Sequence, residues 1–250
     1  MKLLVLLTAL SPFTFATISF CPPLGNGGNP IQMSALGSTS PGNGCTQVDQ
    51  QYDNMNATGS ASGYSPVAPG PTGVTLFGVG TTPGTNNIGV RWSGTVGATN
   101  NWSASSSGNG SDTWTDTITF EMKPTDGVLI DGATLTLGSL TNIARTNFTI
   151  TESVCVDSST FTCVSPVVLP SIGPLSTAQS GNTVHLSFAP TSDIAVQVVL
   201  SAVSTANGSK SFTLDTFTTT FDELVPEPST WIGSATGLAA LASLRLRRRS

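Results

Sequence analysis

Few residues in this chain have both the type and the spacing to do chemistry, and each is better explained by a quieter role. His185 is the single histidine of the 250 residues and lies between Val184 and Leu186, so strand alternation turns it to a polar face. A catalytic base would also need a positioned nucleophile, and no Gly-x-Ser-x-Gly elbow, His-Glu-x-x-His pair or phosphate-binding loop occurs. Glycoside hydrolysis needs two carboxyls flanking a cleft. Asp116, Glu121, Asp126 and Glu152 are the candidates, though acids at strand ends more often form turns. Calcium takes six to eight oxygens from carboxylates and carbonyls. Asp126-Gly127 and Asp131-Gly132, with Asp112 and Asp116 near a Ser/Gly-rich loop, are compatible with it, but no EF-hand spacing appears. Calcium is the one cofactor the pattern admits, and its ligands are not specified. Trp92, Trp102 and Trp114 are candidate glycan contacts, because an indole face stacks on a sugar ring, although tryptophan more often packs a core.

The four cysteines, Cys21, Cys45, Cys155 and Cys163, suit an oxidising compartment. Three pairings are open, and proximity favours Cys21 with Cys45 and Cys155 with Cys163. The second pair would close a short hairpin around Asp157-Ser158-Ser159. With no Cys-x-x-Cys and one histidine, metal binding by these cysteines is the weaker reading.

Composition narrows the partners. Between Thr17 and Pro228 stand fourteen acidic residues and four basic ones, Arg91, Lys123, Arg145 and Lys210. Nucleic acid is therefore excluded as an expected partner, since phosphate neutralisation needs clustered cations. Serine and threonine number 69, so the surface meets water through hydroxyls rather than ions. Such a chain favours strands and turns over helices. The five Asn-x-Ser/Thr triplets, at Asn56, Asn101, Asn109, Asn147 and Asn207, read as surface turns.

The elements that must position these residues are short strands. Residues 71–224 alternate repeatedly, as in Ile88, Val90 and Trp92, then Ile118, Phe120 and Met122, then Val184, Leu186 and Phe188, then Val196, Val198 and Leu200. Asp131-Gly132 reads as a hairpin turn. Phe161–Cys163 reads as one short strand. Phe212 and Leu214 have opposite parity to Phe217 and Phe221, which a bulge near Asp215-Thr216 would reconcile. The expected fold is all-β, an antiparallel, jelly-roll-like β-sandwich. Residues 17–70, rich in Gly, Pro and Asn, read as a loop-rich segment pinned by a disulfide.

The two ends read as an address. Lys2, the apolar Leu3–Leu10 and Thr14-Phe15-Ala16 form a helical signal peptide over residues 1–16, cleaved after Ala16. Phe20 before Cys21 disfavours a lipid-modified cysteine. Residues 225–250 begin with Val225, Pro226, Glu227, Pro228, Ser229 and Thr230 and continue as an uncharged Trp231–Leu244 stretch. They end on Arg245, Arg247, Arg248 and Arg249, which act as a stop-transfer signal. As a helix, Ser229–Leu246 would be about 27 Å long, close to a thin bilayer.

This tail resembles the PEP-CTERM sorting signal of Gram-negative bacteria, in the proline-glutamate-proline run, the hydrophobic segment and the terminal arginines, in that order. The resemblance implies recognition by exosortase, a membrane-embedded cysteine protease, and association with exopolysaccharide or biofilm matrix. The expectation is a non-enzymatic protein, exported to the cell surface or extracellular matrix and transiently anchored in the inner membrane through its short helical tail. The alternatives are a carbohydrate-binding, calcium-dependent sandwich module and, less favoured, an enzyme acting on polysaccharide.

Overall fold

The computed structural model of the chain describes residues 19–21, 31–36, 44–80, 88–94, 102–125 and 127–224. The signal peptide with Ala16, the 225–250 sorting tail with its arginines, Asp126 and Asn101 lie outside them. Among the described residues the only helical element is a 3-10 turn, Met33–Leu36, and no helix is long and apolar enough to cross a membrane.

The described residues also hold eighteen strands. The first nine are β1 (Ser19–Phe20), β2 (Ile31–Gln32), β3 (Cys45–Gln47), β4 (Gln50–Ser62), β5 (Val74–Val79), β6 (Ile88–Gly94), β7 (Trp102–Ser106), β8 (Asp112–Pro124) and β9 (Leu129–Leu137). The remainder are β10 (Ser139–Ala144), β11 (Asn147–Val156), β12 (Val167–Val168), β13 (Ile172–Leu175), β14 (Gln179–Ser180), β15 (Thr183–Thr191), β16 (Ile194–Ser204), β17 (Lys210–Leu214) and β18 (Thr216–Leu224).

They form a β-sandwich. One layer is an eight-stranded sheet in the order β1-β3-β4-β8-β16-β11-β12, with β13 also paired to β11. It is antiparallel except where β1 meets β3. The second layer comprises a six-stranded sheet, β15-β9-β18-β6-β5-β2, and a four-stranded one, β14-β10-β17-β7. These two are continuous through a crease, because β9 runs into β10 at Gly138 and β17 into β18 at Asp215. Across the crease Gly138 N donates to Thr216 O and Asp215 N to Ser139 O, each at 2.8 Å. A Cβ on Gly138 would sit 2.2 Å from Thr216 Oγ1, so only glycine fits there.

Period-two alternation fills the space between the layers. β8 turns Trp114, Ile118, Phe120 and Met122 inward and Thr113, Thr115, Thr117 and Thr119 outward. Aromatic contacts join the layers, with Trp92 to Phe120 at 5.1 Å, Trp114 to Phe212 at 5.0 Å and Phe148 to Phe212 at 5.4 Å between ring centroids.

Four local expectations change. The segment read as loop-rich contains β4, thirteen residues long and paired with β8 along its length. Its hydrophobic parity was hidden by a bulge between Asp53 and Asn56, with Asn54 at φ 50°, so that Tyr52 and then Met55 and Ala57 face inward. Asp131-Gly132 is no turn; both lie within β9, whose partners β15 and β18 hold it straight. The parity change between Phe212 and Phe217 is the crease itself, where the chain passes from one sheet to another rather than bulging within one. Residues 161–163 form no strand.

Candidate functional site

The outer face of the eight-stranded sheet is polar by alternation. Register places Asn56, Thr119, Gln197 and Ser153 in one row across β4, β8, β16 and β11, and Thr58, Thr117, Val199 and Thr151 in the next. At one end of this face lies a hollow of about 360 Å³, lined by Asn54, Asn56, Thr119, Phe120, Ser159, Thr160 and Phe161. Its floor comes from β4 and β8, and its wall from the loop that follows β11.

Several contacts hold that loop in place. The Cys155–Cys163 disulfide closes it, with the two Cα atoms 5.7 Å apart. Asp157 takes a left-handed conformation (φ 54°) and its N–H donates to Asp193 O at 2.9 Å. Thr191 Oγ1 donates to Asp157 Oδ1. Asn54, turned outward by the β4 bulge, donates Nδ2 to Ser159 O at 3.3 Å and to Glu121 Oε2 at 2.5 Å. Phe161 is half-buried, so part of its ring remains accessible beside the exposed Asn56, Ser159 and Thr160.

A group of charges surrounds Glu121, the carboxylate that accepts from Asn54. Glu121 is buried and receives Lys123 Nζ at 2.7 Å. Burial first, and then the neighbouring Glu121 carboxylate, push Asp193 up to about 6. Burial alone would lower Lys123, but the hydrogen bond and charge of Glu121, with Asp193 and Asp53, raise it. Asp53 accepts Gln51 Nε2 at 2.6 Å. Among the described residues no group of three or more histidines, cysteines or acids is placed to hold a metal ion.

The residues singled out from sequence are dispersed. Trp92, Trp102 and Trp114 are at most 1% exposed, which corrects their assignment as glycan contacts. They sit at inward positions of β6, β7 and β8, where indoles fill the sandwich and no face is offered to a sugar. Trp92 Nε1 donates to Thr219 Oγ1 at 3.2 Å, and Trp102 Nε1 to Asp116 Oδ2 at 2.9 Å. Burial pushes Asp116 up to about 7 against that bond, and Glu152, wholly buried on β11, up to about 8. Glu121 faces outward while Asp116 and Glu152 face the core, so these three carboxyls do not flank one cleft.

Asp112 pairs with the buried Lys210 at 2.6 Å; hydrogen bonds from Lys210 and then Ser106 hold its carboxyl below the usual range. Asp131 lies on β9, away from Asp112 and Asp116 on β8. His185 Nε2 donates to Asp222 Oδ2 at 2.6 Å. A Cβ on Gly132 would lie 2.5 Å from that Oδ2 and 3.1 Å from Nε2, so glycine makes room for the pair. The cysteines pair as proximity suggested, Cys21 with Cys45 and Cys155 with Cys163, and among the described residues none is free. Phe161 and Asn54 were not singled out from sequence. The available signals were a Phe inside a disulfide loop and an Asn at a break in alternation.

No family model matches the chain, and no curated protein does. Similar solved structures exist, at low levels of likeness. One is a carbohydrate-binding module of the β-sandwich superfamily with promiscuous specificity, 12% identical, with 68% of this chain and 57% of that chain covered and a TM-score of 0.27. A second is a family 61 carbohydrate-binding module in complex with β-1,4-galactotriose, 11% identical, covering 65% and 86% respectively, with a TM-score of 0.27. A third is the family 11 module from Clostridium thermocellum with a mixed-linked tetrasaccharide, 11% identical, covering 72% and 100%, with a TM-score of 0.25. The matched region thus spans little more than half of the first of these chains.

Proposed function

We propose that this chain is an exported, non-enzymatic β-sandwich protein that binds polysaccharide in the hollow beside the Cys155–Cys163 loop. The observation that carries the reading is the composition of that hollow. Amides from Asn54 and Asn56 and hydroxyls from Thr119, Ser159 and Thr160 surround the half-buried ring of Phe161. A sugar presents a polar rim and an apolar face, and a concave site with one aromatic wall and a few placed polar groups complements both. Two disulfides agree with an extracytoplasmic setting. The opposed directions of Glu121 and of Asp116 and Glu152 favour binding over hydrolysis.

In this proposal the 225–250 tail, with its Val225–Thr230 motif and terminal arginines, is the sorting signal that its PEP-CTERM resemblance implies, processed by an exosortase at the membrane. The body then meets exopolysaccharide at the surface or in the matrix. Calcium has no assigned place in it. A glycan array tests the binding directly. The intact chain should retain at least one polysaccharide class, and Phe161→Ala should lower that signal about fivefold, as loss of a stacking contact of about 1 kcal/mol does. Equal signals from the two proteins, or none from either, would remove this hollow as the glycan site.

A further inference from the structure

We infer that the glycan of this site is an uncharged polymer bound over several sugars, leaving the hollow across β8 to a second anchor at Gln197 on β16; the inference rests on the glycan reading above and names its substrate class. The loop of residues 157–163 gives the polymer its direction. It starts from β11 and reaches Asn54 on β4, where Ser159 O accepts from Nδ2 at 3.3 Å, so it crosses β16 and β8, which lie between those strands. Glu121, Ala195 and Cys155 stand side by side in register beneath it, and all three are buried although alternation turns them outward. The next row, Asn56, Thr119 and Gln197, runs beside the loop and keeps part of its surface open. Asn56 and Thr119 line the hollow, and Gln197 lies one strand further on.

Two properties of that row define the ligand. The first is unspent hydrogen-bonding capacity. The side chains of Asn56, Thr119 and Gln197 have no hydrogen-bond partner among the described residues, so two amides and a hydroxyl keep their donors and acceptors for a ligand. The second is the lack of charge. Neither this row nor the two that follow it, Thr58, Thr117 and Val199, then Ser60, Thr115 and Ser201, holds an ionisable side chain. Glu121 and Lys123 of β8 lie beneath the loop and beyond it, paired with each other at 2.7 Å. A uronate or a protonated amino sugar laid on this floor gives up hydration with no counter-charge to replace it, whereas the hydroxyls of a neutral sugar exchange water for amides and hydroxyls. Asn56 to Gln197 covers two strand spacings, about 10 Å. The sugars that meet Gln197 are therefore the ones beyond those seated at Phe161.

The experiment is calorimetric titration of the intact chain at pH 7 with dimers and tetramers of β-1,4-linked glucose, mannose and N-acetylglucosamine, and with tetramers of galacturonate and glucosamine. At least one neutral tetramer should bind about fivefold or more tightly than its own dimer, and both charged tetramers should bind more weakly than it. Gln197→Ala should lower affinity for that tetramer about fivefold, as loss of one or two hydrogen bonds does, and leave the dimer unchanged. Gln197→Thr, which suits a strand, should act in the same way and keeps the test open if the alanine variant does not fold. Phe161→Ala should weaken dimer and tetramer alike. Equal affinity for dimer and tetramer, or a tetramer indifferent to both Gln197 variants, would overturn the inference while the effect of Phe161→Ala leaves the glycan reading standing. A charged tetramer that binds as tightly as the best neutral one would also overturn it. Silence from all three neutral tetramers would overturn it as well, and together with a blank glycan array would overturn both readings.

Discussion

Replacing Glu152 with glutamine should stabilise the protein at neutral pH, and the gain should grow as pH rises. Glu152 lies inside the eight-stranded sheet with its neighbours Ile150 and Val154 on the same inward face, and neither carboxyl oxygen has a hydrogen-bond partner. Burial raises it from 4.5 to about 8. The folded protein therefore keeps a proton that the unfolded chain releases above pH 4.5. Its contribution is fully present below that value and is lost as pH climbs toward 8, at about 1.4 kcal/mol per pH unit. Between pH 4.5 and 7 this amounts to about 3 kcal/mol of lost stability. A glutamine fills nearly the same volume and does not ionise, but it buries an extra unpaired donor at a cost of about 1 kcal/mol. Glu152→Gln should thus be more stable by about 2 kcal/mol at pH 7 and close to wild type, or slightly below it, at pH 5. Urea unfolding of both proteins at pH 5, 6, 7 and 8 reads this difference, and any slope common to both, such as that from Asp116, cancels. A difference that stays flat across that range would show that Glu152 is ionised in the fold and that the reasoning is wrong.

Other outcomes follow from the same structure. Removing the loop disulfide with Cys155→Ser and Cys163→Ser should cost about 2–3 kcal/mol in thermal unfolding, by the closure entropy of a short loop, while far-ultraviolet dichroism keeps its strand signal. Because that loop supplies Ser159, Thr160 and Phe161, the same variant should lose glycan binding by more than its stability loss explains, as seen on the array below its melting point. Trp102→Phe removes the hydrogen bond to the buried Asp116 and should destabilise the fold by about 2–3 kcal/mol at pH 8, less at pH 5 where the carboxyl is neutral, in urea unfolding. Alanines at Pro226, Glu227 and Pro228 should change the mass or the membrane-to-medium distribution of the protein in a host that carries exosortase; an unchanged distribution would remove the sorting assignment.

The fold class was legible because most strands carry their pattern openly. Thr117 to Met122 alternates without interruption, and Val196, Val198 and Leu200 share one face; each forms a strand where alternation places one. It failed where a residue changes parity or sheet. The bulge at Asn54 broke the pattern of β4 into a string of polar letters, and the crease at Asp215 looked like a bulge because local periodicity cannot tell which sheet a strand joins. Asp131-Gly132 resembled a turn, yet Gly132 is there for the His185–Asp222 pair that crosses it, a contact with residues far along the chain. The site was less legible still. Tryptophans suggested sugar stacking, but the three indoles pack inside the sandwich against Phe120, Phe217 and Phe212. The half-buried Phe161 reaches the face of β4 and β8 because a disulfide closes its loop there.

Hydroxyl-radical footprinting of the intact chain, with and without the polysaccharide selected on the array, tests the central claim most directly. The account predicts protection at Phe161 on glycan addition, with unchanged reactivity at the exposed Val164 and Val168 just beyond it. Protection elsewhere on the sandwich with Phe161 unchanged would contradict it.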